Sequence, residues 1–127
     1  MVLPNKFEMH LFGVCDYEHY NKTVSYWSDV YGFNMNTLKK SVLRDAQVVT
    51  IPSECVVSDI FKFKEIDCNK CTVEEVSKFE ADFSLKIATD TQLTGIASSF
   101  DCFFDHENLE HKVFIIFNLK MRFYFKF

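Results

Sequence analysis

The sequence predicts a mainly β fold: an antiparallel, barrel-like sheet with one α-helical insertion near its N-terminus. Apolar and polar residues alternate along several segments, turn residues separate those segments, and no helical pattern recurs between them. Five or six strands can be counted, which is few for closure, so we expect an incomplete barrel. A chain of 127 residues with 17% aromatic residues is long enough for one domain with a sizeable hydrophobic core.

The first strand is predicted over Lys6 to Phe12. Phe7, Met9 and Leu11 alternate there with Glu8 and His10, which is typical of a half-buried strand.

A helix is predicted next, beginning at Tyr17. Large side chains recur at spacings of three and four, which places them on one stripe of a helix: Tyr17, Tyr20, Val24, Trp27 and Tyr31. Asp16 is expected to cap this helix and Gly32 to end it, with a short second helix after the glycine. The stripe can cover the chain's own core or dock on another molecule, and the spacing favours neither.

The remaining strands are predicted from composition and alternation. Pro52 is expected to end the second of them, and Thr72 to cap a single helical turn. The segment from Phe79 to Ile87, apolar at every second position, has the most regular pattern. A strand from Val113 to Phe127 would span ~50 Å, so it must bend or lie partly outside the barrel. The predicted strands after the helices are Ala46–Ile51, Val56–Ile66, Phe79–Ile87, Leu93–Phe104 and Val113–Phe127.

Composition excludes several functions. Gly13, Gly32 and Gly95 are isolated, so no glycine-rich phosphate loop is present. A net charge of −4 argues against a nucleic-acid-binding domain. No apolar run approaches the ~20 residues of a membrane helix, so we expect a soluble protein of the cytoplasm or nucleus, with no membrane partner.

The five cysteines are odd in number and follow no disulfide framework, so reduced thiols are expected. Cys68 and Cys71 form a single C-x-x-C pair, for which a metal or redox role competes with an incidental loop. The loop Asp105–Asn108, with His106 inside it and His111 just beyond, could similarly be a metal site or an ordinary polar turn.

The stretch from Tyr26 to Met35 resembles the W-x-x-V-Y-G-F-x-M motif of the type I protein arginine N-methyltransferases. Leu3-Pro4 with the strand after it, Ile66-Asp67-Cys68, and Ser99 to Phe104 are similar to the family's neighbouring stretches in the same order. The resemblance covers roughly residues 3 to 114.

The resemblance implies the C-terminal barrel of a two-part enzyme whose other part, a Rossmann-like domain, binds S-adenosylmethionine. It implies residues 1–114 as the barrel domain, with a helical dimerisation arm at about 17–44, and residues 115–127 as a divergent tail. In the family, the arm packs on the cofactor domain of a second subunit. The residues implied as arm contacts are Tyr20, Trp27, Tyr31, Phe33 and Met35.

No residue matches the family's cofactor loop or its paired glutamates, and its Thr-His-Trp loop is missing. We therefore assign no catalytic, cofactor-binding or metal-binding residue. We expect a fragment, truncated at both ends, that is inactive alone; S-adenosylmethionine and an arginine-containing protein substrate are implied for the intact enzyme. The alternative is a non-catalytic interaction module that docks through its aromatic arm on full-length relatives or in a homodimer. A lipocalin-type ligand barrel is a third hypothesis, disfavoured by few strands and bulky inward aromatics.

Overall fold

The computed structural model describes residues 2–88, 90–105 and 113–123, with the backbone described over the last range. Two single-turn 3-10 helices, Ser25–Ser28 and Ser53–Cys55, accompany eight further helices and strands. In chain order these are β1 Lys6–Val14, α1 Tyr17–Thr23, α2 Asn36–Val42, β2 Gln47–Val49, β3 Phe61–Asp67, α3 Val73–Ser77, β4 Gly95–Phe104 and β5 Val113–Phe123.

The five strands form one antiparallel sheet in the order β2-β5-β4-β1-β3. The outermost strands are β2 and β3, so the described residues form an open sheet and not a closed barrel. The predicted fold class, an incomplete antiparallel barrel-like sheet with a helical insertion, is confirmed.

The densest packing lies at one end of β1, on the face that carries its even-numbered residues. Phe12 and Val14 are buried there against Ala97 of β4 and against Ile51, which follows β2. Phe12 pairs directly with Ala97 across the ladder. Because Ala97 has the smallest of these side chains, Ile51 can approach the sheet closely.

The other end of the same face is polar. The Glu8 carboxylate accepts a hydrogen bond from Lys6 Nζ at 2.9 Å and one from Lys62 Nζ at 3.3 Å. The His10 ring lies between two carboxylates, 3.8 Å from Glu8 Oε2 and 3.7 Å from Asp101 Oδ2. One face of β1 therefore changes from an ionic network to an apolar core within seven residues.

Glu8→Gln should make the free energy of unfolding depend less on pH in the acidic range. The hydrogen bond from Lys6 is the main reason that the pKa of Glu8 lies below its ordinary value of 4.5. A lowered folded pKa contributes stability above the unfolded value and loses it as the pH falls through the folded value. We expect the free energy of unfolding in urea, measured from about pH 5 to pH 3, to fall less steeply in Glu8→Gln than in wild type. Exposed Glu80→Gln is the matched control, and equal slopes in all three proteins would contradict the expectation.

The predicted strand from Phe79 to Ile87 is wrong. The segment is extended but makes no ladder, apart from a single bridge between Ile87 and Ser58. Phe79, Ala81 and Phe83 instead lie over the second face of the sheet, where the Phe79 ring stacks on Phe63 with centroids 6.2 Å apart. Alternation places these apolar side chains on one side, and partial packing against a sheet face accommodates that pattern without strand pairing.

An apolar cavity of about 290 Å³ lies between this segment and the sheet, lined by Met9, Leu11, Phe63, Phe79, Ala81, Phe83 and Ser98. Its walls are open to solvent, since Phe79 and Phe83 are 38% and 47% exposed. The enclosed lumen that a lipocalin-type barrel needs is therefore not formed by the described residues.

The other predicted elements differ mainly at their ends. β2 and β3 are shorter than predicted, while α3 begins at a capping box: the Glu75 amide donates to Thr72 Oγ1, and the Thr72 amide donates to the Glu75 carboxylate. β5 follows the predicted last strand as far as Phe123, and its ladder with β4 shifts register between Ser98 and Phe100. Residues 124–127 lie outside the described residues.

Within the described part, no helix has the length and apolar character needed to span a bilayer.

Candidate functional site

The candidate site is the segment of about residues 17–44 that connects β1 to β2, which we call the arm. It starts at Asp16, whose Oδ1 accepts the His19 amide at 2.9 Å and so caps α1, as predicted. The Asp16 amide donates to Thr94 Oγ1 at 2.8 Å, which fixes the start of the arm to the residue before β4.

Two more contacts join the base of the arm to β2 and to the segment before β4. His19 Nε2 lies 3.0 Å from Oε1 of Gln47 in β2, and the Tyr17 hydroxyl donates to Oε1 of Gln92 at 3.1 Å. Val24, directly after α1, is fully buried. The base of the arm is therefore anchored to the chain's own fold.

The single predicted helix through Tyr31 is wrong in its extent. α1 ends at Thr23, whose hydroxyl bonds back to the His19 carbonyl at 2.7 Å, and a 3-10 turn over Ser25–Ser28 follows. Gly32 does not end this helix. The short second helix after the glycine is confirmed as α2.

Tyr31 and Gly32 form the two central residues of a tight turn at the tip of the arm. Val30 and Phe33 exchange backbone hydrogen bonds of 2.9 and 3.0 Å, and the Gly32 amide donates to Asp29 Oδ1 at 2.7 Å. Tyr31 and Gly32 have φ angles of 53° and 88°, the left-handed pair that a two-residue hairpin turn requires. The turn directs Tyr31 away from the rest of the chain.

The five predicted contact residues divide into two groups. Tyr31 and Phe33 project from the tip with 94% and 72% of their surface exposed, and Met35 is also exposed. Tyr20 and Trp27 are half-buried. The Trp27 indole packs edge-on against Tyr26, and its carbonyl accepts the Met35 amide at 3.0 Å, so Trp27 supports the tip from behind.

Removing the helix cap should loosen the base of the arm. In Asp16→Ala the His19 amide loses its acceptor, and we expect a loss of about 1 kcal/mol in the free energy of unfolding. Asp16→Asn keeps an oxygen acceptor and should cost much less. Urea unfolding measures both, and an equal loss in the two variants would contradict a capping role.

The metal-binding alternatives raised by the sequence have no support among the described residues. No group of three or more His, Cys, Asp or Glu side chains suited to a metal ion occurs in the described ranges. Of the acidic loop after β4, Asp105 is described and its amide donates to Asn5 Oδ1 at 2.8 Å, whereas His106 to His111 lie outside the described residues.

Sequence reasoning missed two features of the arm. The first is the turn at Tyr31 and Gly32, which Gly32 between apolar residues could have indicated, although tyrosine is unusual at a left-handed position. The second is the bond from the Asp16 amide to Thr94, which joins residues far apart in the sequence and leaves no local signal.

Comparison with known proteins shows the family to which this chain belongs. Residues 5–121 match the family described as the arginine methyltransferase oligomerization subdomain. Over 104 residues the chain is 30% identical to protein arginine N-methyltransferase 1.1 of Arabidopsis thaliana, covering 82% of this chain and 26% of that protein. Over a span of the same length it is 29% identical to protein arginine N-methyltransferase 1 of Saccharomyces cerevisiae, again covering 82% of this chain and 30% of the relative.

Two solved structures share the fold. The Trypanosoma brucei PRMT1 enzyme-prozyme heterotetrameric complex with AdoHcy contains a chain that superposes with a TM-score of 0.83 at 18% identity, over 96% of this chain and 40% of that one. Arabidopsis thaliana protein arginine methyltransferase 10 gives a TM-score of 0.69 at 15% identity, over 96% and 45%.

The chain spans between a quarter and a third of the length of these two curated relatives, and the family model that it matches describes the oligomerization subdomain. This chain belongs to the protein arginine N-methyltransferase family and corresponds to the C-terminal, barrel-like part of its members.

Proposed function

We propose that this chain acts by protein association: its arm docks on a methyltransferase subunit and helps to assemble an oligomer. The observation that carries the proposal is the exposure of Tyr31 and Phe33 at the tip of an arm whose base is anchored to the sheet. Large aromatic side chains held out from a fixed support are typical anchors of protein interfaces.

The shape of the tip favours docking over self-burial. Two backbone hydrogen bonds and the Asp29 carboxylate fix the backbone of the turn, which places Tyr31 and Phe33 at the tip of the arm. A preformed anchor loses little conformational entropy on binding. Met35 and the half-buried Trp27 extend the apolar surface behind the tip.

The partner that we propose is a full-length methyltransferase subunit or a second copy of this chain. One of the structures that share the fold is an enzyme-prozyme heterotetramer, which shows that a member of this family can assemble from unlike chains. The relatives are several times longer than the matched region, so a full-length subunit brings surfaces for the arm that this chain lacks.

In this proposal, the partner subunit carries out the methyl-transfer reaction. In the intact family enzyme, a methyl group moves from the sulfonium of S-adenosylmethionine to a guanidinium nitrogen of a protein arginine, and carboxylates position that nitrogen. None of the described residues forms a glycine-rich phosphate loop or matches the paired glutamates. We propose that this chain is inactive alone, that residues 1–114 correspond to the family's barrel domain with its arm, and that residues 115–127 are a tail whose sequence diverges from the family, although part of it lies in β5.

Calorimetry tests the catalytic half of the proposal. Titration of S-adenosylmethionine into the purified chain should release no binding heat, and incubation with an arginine-rich peptide should give no methylated product. Micromolar affinity, or methylation without a companion protein, would overturn it.

The proposed setting is the cytoplasm or the nucleus. None of the five cysteines is in a disulfide, which suits a reducing compartment. The net charge of −4 makes a protein partner more suitable than a nucleic acid. Imaging of the tagged chain tests the compartment, and recovery from the secretory pathway would contradict it.

A further inference from the structure

Cys68 and Cys71 lie in the turn between β3 and α3. The amides of Lys70 and Cys71 both donate to the Asp67 carbonyl, at 3.0 and 2.8 Å, which closes one helical turn. Residues three apart in such a turn lie on the same side, with their Cα atoms about 5 Å apart. A disulfide spans Cα separations of roughly 4.4–6.8 Å, so the backbone already permits this bond.

The two thiols have different surroundings. Cys71 lines a polar cavity of about 250 Å³, whose other lining residues include Lys70, paired with Asp67 at 3.1 Å. Cys68 is not among its lining residues; its amide bonds to the Asn5 carbonyl at 2.9 Å, and it sits beside the sheet. Burial raises the pKa of the Cys68 thiol, and a negative charge on nearby Cys71 acts in the same direction.

We propose that Cys68 and Cys71 are a reversible modification site, a dithiol that low-mass disulfides such as oxidised glutathione convert to an intramolecular disulfide through the polar cavity. The cavity gives a small disulfide access to the Cys71 sulfur, because Cys71 is one of its lining residues. Its own carboxylates are already engaged: Glu65 with Lys62 at 2.7 Å, Asp67 with Lys70 at 3.1 Å, and Glu75 with the Thr72 amide at 3.0 Å.

The reaction has two balanced steps. The Cys71 thiolate attacks one sulfur of oxidised glutathione, the glutathione disulfide breaks, and one glutathione leaves as a thiolate that takes up a proton. Cys68 then loses its proton to solvent and attacks the Cys71 sulfur, which forms the Cys68–Cys71 bond and releases the second glutathione. Two protein thiols are oxidised, and one glutathione disulfide is reduced to two thiols.

The bond should be easily reversed. A disulfide that closes so short a loop removes little entropy from the unfolded chain, so the fold stabilises it weakly. Weakly stabilised disulfides have more oxidising potentials and are the labile kind. Excess reduced glutathione should therefore restore both thiols.

Peptide mapping tests the site on the folded, full chain. Lys70 lies between the two cysteines, so trypsin separates peptides 65–70 and 71–78 unless a disulfide joins them. After treatment with oxidised glutathione and alkylation of the remaining thiols, we expect these two peptides to be joined, and to separate on reduction. Absence of this linked pair, or a link from either cysteine to Cys102, would overturn the proposal.

Single variants test the order of the steps. Cys68→Ser should hold glutathione on Cys71 as a stable mixed disulfide. Cys71→Ser should incorporate glutathione at Cys68 at least about tenfold more slowly, because Cys68 is desolvated. Cys15→Ser, at another half-buried thiol, should leave the Cys68–Cys71 bond unchanged, and circular dichroism confirms that each variant folds. Equal rates at Cys68 and Cys71 would contradict the assigned roles.

Discussion

The double variant Tyr31→Ser/Phe33→Ser should lose capture by a full-length methyltransferase encoded in the same genome. Both rings are exposed at the tip of the arm, so their removal takes away anchor surface without opening the core. Truncation of an interface anchor costs 2 kcal/mol or more, which corresponds to at least about 30-fold in affinity. Biolayer interferometry with the methyltransferase immobilised measures the dissociation constant directly.

The matched control is Phe83→Ser, which removes an exposed phenylalanine from the other face of the sheet. Its affinity for the methyltransferase should equal that of wild type. Trp27→Ala should also weaken capture, because the half-buried indole extends the apolar surface behind the tip. If wild type, the double variant and Trp27→Ala bind equally well, the arm is not the anchor.

Phe12→Ala should cause the largest loss of stability among single substitutions. The Phe12 side chain is 3% exposed and packs with Val14, Ile51 and Ala97 in the densest part of the fold. Truncation of a buried phenylalanine costs about 3–5 kcal/mol through lost transfer free energy and an unfilled cavity. A domain of this size has a total stability of only about 5–15 kcal/mol, so urea or thermal unfolding should show a strongly lowered midpoint.

Phe63→Ala provides the comparison on the opposite face, where the apolar cavity is open to solvent. Because Phe63 is only half-buried, its truncation should cost clearly less than that of Phe12. A larger loss for Phe63→Ala than for Phe12→Ala would contradict the assignment of the main core to the face that carries Phe12 and Val14.

The strands of the sheet could be predicted because their evidence is local. The alternation around Phe7, Met9 and Leu11 predicts β1, and Thr72 with Glu75 predicts the capping box of α3. Which face of β1 carries the tightest core could not be predicted. Phe12 and Val14 are buried because Ile51 and Ala97 meet them from distant parts of the chain.

The strand predicted over Phe79 to Ile87 failed for a related reason. Its alternation indicates that the apolar residues share one side, and three of them, Phe79, Ala81 and Phe83, line the open cavity against the sheet. Whether an extended segment pairs within a sheet or packs across it depends on where other backbone is available, and the sequence of the segment does not contain that information.

A helical insertion after the first strand was predicted, but its shape was not. Spacings of three and four from Tyr17 to Tyr31 suggested one helix, whereas the chain leaves helical geometry after Thr23 and reverses at Tyr31 and Gly32. The reversal turns the end of a supposed helical stripe into an exposed hairpin tip. The proposed contacts therefore remain a prediction, now with Tyr31 and Phe33 as the leading residues.

Site-specific photocrosslinking tests the central claim most directly. A photoreactive phenylalanine analogue at position 33, mixed with the full-length methyltransferase, should give a covalent heterodimer on irradiation, whereas the same analogue at position 83 should give none. Sedimentation of the chain alone distinguishes a partner subunit from a second copy. Crosslinks from position 83 and none from position 33 would contradict association through the arm.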